Sequence, residues 1–182
     1  ERYMAGEIVE FAELCDFAAK TFEEVGDLRH ALQVQEYVGF CHLQIGLYER
    51  AEETYRRVIE LGKPLGFHHL TAGSRQNLGY VLMCLGELEE ARAIEDEAVQ
   101  EYTTAGNVKM LAQARMYMAL IHLRSRAFEE AEHGAREAIE HLEAFPPLRC
   151  FGLAVLARVL LERGRADEAL AATTESMALL FS

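Results

Sequence analysis

The chain has 182 residues, of which 51% are apolar, and it carries a formal net charge of -12 with a pI near 5.0. This length is enough to bury a core, and no run of about eighteen uncharged apolar residues occurs, which excludes a membrane-spanning helix. The acidic balance disfavours nucleic-acid binding, because a phosphate backbone requires clustered Lys and Arg.

The first stretch is predicted to be helical. Residues 1–5 resemble the end of a helix, and apolar residues at helical spacing from Ile8 to Phe22 predict a second helix over residues 7–25. Gly26 ends it, so residues 1–26 form a partial leading repeat. Because the first residue is Glu1 and not Met, we expect a segment of a longer chain or a processed one.

Four pairs of amphipathic helices are predicted after this, and the fold class is therefore all-α. The predicted pairs are 28–45 with 47–61, 67–85 with 87–105, 107–125 with 127–145, and 148–163 with 166–180. We expect about nine helices in a single domain, 1–182, since no strand alternation or Gly/Ser linker separates them. The repeat boundaries are 27–65, 66–105, 106–145 and 146–182.

Two interleaved series of helix breakers repeat along the chain. Turn positions recur at a spacing of forty residues and then thirty-eight, at Gly46, Gly86, Arg126 and Gly164. A second series, half a period out of step, consists of Gly26, Gly66, Gly106 and Pro146. Such a period is typical of an array of helical hairpins, which must stack because one hairpin cannot bury its apolar face alone.

Small residues recur at fixed distances from these turns. Those before the turns are Gly39, Gly79, Ala119 and Ala157, and those after the turns are Ala51, Ala91, Ala131 and Ala169. Glycine inside a helix costs about 1 kcal/mol relative to alanine, so its recurrence indicates close helix packing. Large side chains, among them Val38, Leu78 and Leu161, are predicted to fill the layer around these contacts.

The spacing of small residue, turn glycine and alanine resembles the tetratricopeptide repeat. The forty-residue period resembles the extended repeats of kinesin light chains, Pins-like adaptors and bacterial signalling proteins. This resemblance implies an α-solenoid wound as a right-handed superhelix, with the first helix of each pair lining a concave groove. It also implies a non-enzymatic scaffold or sensor segment of a larger cytoplasmic signalling or regulatory protein.

The same resemblance implies a peptide-binding groove. Its residues would be Gln33, Tyr37, Phe40, Gln76, Asn77, Tyr80, Gln113 and Tyr117. Aromatic anchors mixed with amides suit a protein or peptide ligand. Asn77 matches an asparagine with which extended-repeat relatives bond a ligand's backbone. The aromatic side chains could instead pack within the superhelix, so exposed aromatics alone do not decide the question.

No pattern of catalytic or metal-binding residues is found. The sequence lacks HExxH, CxxC and phosphate-loop motifs, so we expect no cofactor, no metal and no catalytic residue. Cys15, Cys41, Cys84 and Cys150 are expected to be reduced, distant from one another and in the cytoplasm. The glutamates of the second helices, Glu95 among them, are expected on a charged outer face.

Two alternative functions remain open. The last helix carries the apolar residues Leu170, Met177, Leu179, Leu180 and Phe181 with few charges, which suits a homodimer or another self-association module. A small-molecule sensor pocket of a bacterial regulator, placed in the groove, is the other alternative.

Overall fold

The computed structural model describes residues 7–180, and within this range the chain forms nine α-helices and no strand. The predicted all-α fold class is confirmed. In chain order the helices are α1 Ile8–Glu24, α2 Leu28–Gln44, α3 Tyr48–Gly62, α4 His68–Leu85, α5 Leu88–Ala105, α6 Val108–Arg124, α7 Phe128–Glu140, α8 Pro146–Glu162 and α9 Ala166–Leu180. Phe181, named above for the last helix, lies outside the described residues, as do residues 1–6.

Most helix ends lie close to the predicted ones, but the junction of α7 and α8 differs. Helix α7 ends at Glu140 rather than at residue 145, and α8 begins with Pro146 itself. Proline is compatible with the first turn of a helix, where its missing N–H has no helical partner. The residue before a proline is disfavoured in the helical conformation, and Phe145 accordingly has a φ of -129°.

A residue with positive φ lies at seven of the helix junctions. Six are glycines, with φ between 64° and 92°, and the seventh is Arg126, with φ of 62°. The next amide donates back to the helix end, as Leu47 does to the His42 carbonyl over 2.9 Å and Ala127 to the His122 carbonyl over 2.9 Å. Glycine adopts this conformation without strain, whereas at Arg126 the left-handed conformation costs about 1–2 kcal/mol.

The contacts divide the chain into two compact units, the first ending at Glu87 and the second beginning at Leu88. The boundary falls within the repeat that the sequence assigns to residues 66–105. In unit 1, helices α1 to α4 each pack on the next, and α2 also contacts α4. In unit 2, helices α5 to α9 follow the same scheme, and α6 also contacts α8. Each unit is therefore built of stacked neighbouring helices, as in a hairpin array.

The small residues lie at helix contacts of two kinds. A Cβ atom added at Gly39 would lie 2.9 Å from Cε1 of Tyr55, so the glycine makes room for a buried ring of α3. In unit 2, a comparable contact has a small residue on each of its two helices, Ala119 on α6 and Gly134 on α7. There, a Cβ atom at Gly134 would lie 3.7 Å from Cβ of Ala119 and 3.6 Å from the Arg115 carbonyl oxygen, at ordinary contact distances.

This difference predicts opposite effects of the same substitution. Gly39→Ala should lower the melting temperature, because overpacking against the Tyr55 ring typically costs about 1–3 kcal/mol. Gly134→Ala is the matched control, since the added methyl group fits and the higher helix propensity is worth up to about 1 kcal/mol. Thermal unfolding followed by circular dichroism measures both. Equal melting temperatures for the two variants would contradict this description of the packing.

Glu95 is buried, so the prediction that it lies on the charged outer face is wrong. Its side chain is 0% exposed, whereas Glu89 and Glu97 on the same helix are exposed. Glu95 stands forty residues after Tyr55 and takes the same inward position of the repeat. Neither carboxylate oxygen has a hydrogen-bond partner among residues 7–180, and burial raises the pKa of this carboxyl group well above its ordinary value.

The protonation of Glu95 should make stability depend on pH. Its folded-state pKa is raised, so the unfolded chain loses this proton at lower pH than the folded one, and stability falls as pH rises above the ordinary value of 4.5. Glu95→Gln cannot ionise and should flatten this decline, by up to about 1.4 kcal/mol per pH unit. Melting temperatures between acid and neutral pH test the prediction.

Asp96→Asn serves as the control for this experiment. It removes a negative charge from the adjacent, exposed position, whose ion pair with Arg92 spans 3.8 Å at the surface. Surface pairs of this kind contribute about 0–1 kcal/mol. If Asp96→Asn flattens the pH dependence as much as Glu95→Gln, the burial of Glu95 is not its cause.

A second buried glutamate, Glu132 of α7, is fully paired. Arg165 donates to both of its oxygens over 2.9 and 2.7 Å, Arg163 to one over 2.9 Å, and Arg136 to the other over 2.8 Å. Burial raises the pKa of Glu132, but the hydrogen bonds and charges of Arg136 and Arg165 outweigh it, and the net shift is downward. The pairs with Arg163 and Arg165 connect α7 to the turn between α8 and α9.

Two further expectations about single side chains are wrong. Leu161, predicted to fill the packed layer, is 60% exposed. Cys15 and Cys41 were expected to be far apart, yet Cys15 adds to the effect of burial that raises the pKa of the Cys41 thiol to about 11. All four cysteines are free thiols, three of them buried. Burial raises the pKa of the Cys15 and Cys41 thiols, which makes these two cysteines poor nucleophiles.

Candidate functional site

The predicted groove residues lie on the first helices of the repeats, and these helices contact one another within each unit. In unit 1 the pair is α2 with α4, and in unit 2 it is α6 with α8. Of the eight predicted residues, six lie on α2 and α4 in unit 1, and Gln113 and Tyr117 lie on α6 in unit 2.

On the α2/α4 face most of the predicted side chains reach the surface. Tyr37 is 48% exposed and Gln33 is also exposed, while Phe40, Asn77 and Tyr80 are half-buried. Gln76 differs from the others because it is only 1% exposed, which places its amide in the core. The α2/α4 surface of unit 1 therefore consists of aromatic side chains and the amides of Gln33 and Asn77. Gln76 is not part of it.

A cavity of about 390 Å³ lies between the first halves of α2 and α4. Arg29, Gln33 and Glu36 line it from α2, and the chain from Gly66 to Leu70 lines it from the start of α4. The Arg29 guanidinium carbon lies 4.6 Å above the centre of the Phe67 ring, at cation–π distance. The cavity thus has a positive group held on an aromatic ring at one end.

Glu36 is the negative group of this cavity. Burial raises the pKa of its carboxyl group to about 7, and no hydrogen bond or ion pair to another described residue offsets that cost. Its oxygen Oε1 lies against Gly73 of α4, where a Cβ atom would be 2.9 Å away, so an added side chain would require the end of Glu36 to move. Near neutral pH this carboxyl group changes charge.

Sequence reasoning did not select Arg29, Glu36, Phe67, His68 and His69 as site residues. The sequence feature that points to this site is Gly73, because a glycine in the middle of a helix indicates that a neighbouring group packs closely against it. The partner could not be identified from spacing alone, since Glu36 and Gly73 lie on different helices and thirty-seven residues apart.

On the α6/α8 face the predicted pair is held together. The Gln113 amide donates to the Tyr117 hydroxyl over 3.2 Å within α6. The Tyr117 ring meets Phe151 of α8 edge to face, with ring centres 6.3 Å apart and planes at 80°. Phe151 is 37% exposed and was not among the predicted residues. Its repeat position is hidden because the period shortens to thirty-eight residues at Pro146.

Among residues 7–180 no group of three or more His, Cys, Asp or Glu side chains is arranged to hold a metal ion. In the same part of the chain no helix is both long and apolar enough to cross a bilayer. The chemistry that the two faces offer is hydrogen bonding by amides, contact with aromatic rings and, in the α2/α4 cavity, two opposite charges.

Comparison with known proteins identifies the repeats. Residues 30–104 match the tetratricopeptide repeat family, as the spacing of small residues and turns predicted. This match covers α2 to α5 almost completely. No curated protein matches the chain significantly.

Solved structures share the fold over 98% of this chain. A kinesin-light-chain-like protein of Podospora anserina with nearly identical TPR-like repeats is 16% identical, with a TM-score of 0.74 and 89% of its own length covered. The Rap conjugation gene regulator of plasmid pLS20, in complex with the Phr* peptide, is 18% identical, with a TM-score of 0.86 and 50% of its length covered.

A Rap protein complexed with Competence and Sporulation Factor is 14% identical, with a TM-score of 0.87 and 51% of its length covered. The chain thus spans about half the length of these Rap proteins. At such identities the likeness establishes the fold, a solenoid of helical repeats, and not a shared ligand.

Proposed function

We propose that this chain, whose residues 30–104 belong to the tetratricopeptide repeat family, binds a peptide or an extended protein segment on the α2/α4 face of unit 1. The observation that carries the proposal is the cavity of about 390 Å³ beside the exposed Gln33 and Tyr37. The cavity is concave, and its charged and amide side chains lie beside the ring of Phe67 and the side chain of Leu70, so it offers polar groups that can orient a ligand.

The residues of this face suit an extended backbone. The Asn77 amide offers both a donor and an acceptor, which a peptide unit can use together. Tyr37 and Tyr80 offer large, rigid contact area at a low cost in side-chain entropy. On the α6/α8 face, Gln113, Tyr117 and Phe151 form a second aromatic and amide surface within unit 2. We propose it as a further contact site.

The similarity to Rap proteins supports a peptide ligand by analogy, because one of them is a complex with the Phr* peptide. We further propose that the chain acts as a sensor or scaffold segment of a larger cytoplasmic signalling or regulatory protein, and that it binds rather than catalyses. Its net charge of -12 opposes association with nucleic acid.

Asn77→Ala and Tyr37→Ala should each weaken peptide binding about tenfold, since truncating an interface anchor often costs about 1–2 kcal/mol. A random octapeptide library is passed over the immobilised chain, and the affinity of one enriched peptide is then measured by calorimetry. Phe17→Ala, which truncates a 72% exposed ring on α1, is the control and should bind normally. Full affinity in both groove variants would move the site away from the α2/α4 face.

Self-association is the second candidate function, and helix α9 favours it. Leu170, Met177 and Leu180 are 67%, 48% and 63% exposed, and α9 buries only Ala169 and Ala172. Exposed apolar patches on a helix mark interaction surfaces. We propose that two copies pair through this surface.

Sedimentation velocity over a range of concentrations tests the pairing. The chain should sediment as a dimer at high concentration, and Leu170→Glu should shift it to the monomer because a charge placed in an apolar contact is costly to bury. Leu161→Glu, at another exposed leucine, which lies on α8, is the control. A monomer at every concentration would exclude this candidate.

A further inference from the structure

We infer that the α2/α4 cavity binds a primary ammonium group of the peptide, either its amino terminus or a lysine, with Glu36 as the anionic partner. The inference rests on the proposed function, because it names the group that the same site recognises. The inference gives a role to the carboxyl group of Glu36, which forms no hydrogen bond or ion pair with another described residue.

The first argument is the isolation of Glu36. Its side chain lines the cavity, is partly buried, and has no hydrogen bond or ion pair with any other described residue. A buried charge without a partner is unfavourable, and removing its last contacts with water makes it more so. A cationic ligand group reverses this balance because it supplies the missing partner. An ammonium group is compact and brings three donors, so it fits a site already narrowed by two helices.

The second argument is the space that the chain keeps open for this carboxylate. Gly73 lies in the interior of α4, where glycine costs about 1 kcal/mol relative to alanine. A Cβ atom there would lie 2.9 Å from Oε1 of Glu36 and would displace the carboxylate. A glycine, with its cost in helix stability, therefore lies at a point where the carboxylate of Glu36 rests against α4.

The third argument is the polarity of the cavity. Arg29 lies seven residues before Glu36 on α2, which places their Cα atoms about 10 Å apart along the helix axis. Arg29 is held over Phe67, and His68 and His69 line the same end of the cavity. A cation is repelled there and attracted at Glu36. The peptide is thus oriented with its ammonium group at Glu36 and its carbonyl groups toward Arg29.

Binding of an ammonium group should also release a proton from Glu36. The pKa of this carboxyl group is raised to about 7 by desolvation, and a bound cation lowers it. Affinity should therefore rise as pH increases through this range. Arg29 on α2 and His68 and His69 on α4 also line the cavity, so the pH profile must be compared with that of Glu36→Gln, which keeps all three of these residues.

The probe is a random octapeptide library made without arginine, used as synthesised and after exhaustive acetylation of its amino groups. Acetylation removes every ammonium charge from the same sequences. We expect the full chain to retain the untreated library about tenfold better, and Glu36→Gln to abolish that preference, as expected when one partner of a charge pair is lost. Gly73→Ala keeps the charge but displaces the carboxylate, and it should reduce the preference.

Glu60→Gln removes an equal charge from the exposed side of α3 and should keep the full preference for the untreated library. Equal retention of both libraries would overturn the ammonium site and leave peptide binding intact. Retention of neither library would overturn the proposed function together with this inference. A preference that survives in Glu36→Gln would assign the recognition to another acidic group and overturn the role of Glu36.

Discussion

At seven of the eight junctions between the described helices, the hydrogen bond that closes the helix end determines where the following helix begins. It runs from the amide after the left-handed residue to a carbonyl group five residues earlier, as from Leu47 to His42 and from Glu87 to Leu82, each over 2.9 Å. Because the same closure recurs, successive helices of one unit begin at equivalent positions of the repeat. The face shared by α2 and α4, with its cavity, is a consequence of that registration.

The turns and the close helix contacts could be predicted from the sequence because they are local. A glycine at a chain reversal or a small residue at a helix crossing is required by backbone geometry, whatever the neighbours are. Even Arg126 follows the rule, adopting a left-handed φ of 62° at a position where spacing alone indicated a turn. Helix α7 ends at Glu140, five residues before the predicted end, and the restriction that Pro146 places on Phe145 accounts only for the last of these residues.

Burial of single polar side chains was much harder to predict, because it depends on residues distant in sequence. Glu95 resembles its exposed neighbours in composition and differs only by its repeat position, the one that Tyr55 takes in α3. Gln76 was placed on a binding face and is enclosed instead. In the candidate site, the Arg29–Phe67 contact and the Glu36–Gly73 approach each join two segments, so neither leaves a periodic signal.

The three glutamates with restricted access to water differ in what can neutralise them. Glu132 is neutralised by arginines of its own unit, which lower its pKa. Their hydrogen bonds to Glu132 also connect α7 to the turn before α9. Glu95 has no hydrogen-bond partner in the described part of the chain and no exposed surface, so protonation neutralises it. Glu36 also has no hydrogen bond or ion pair with another described residue, but it borders a cavity that a ligand can enter. A binding site follows from that combination, because only an unpaired and accessible charge gains stability when a partner arrives.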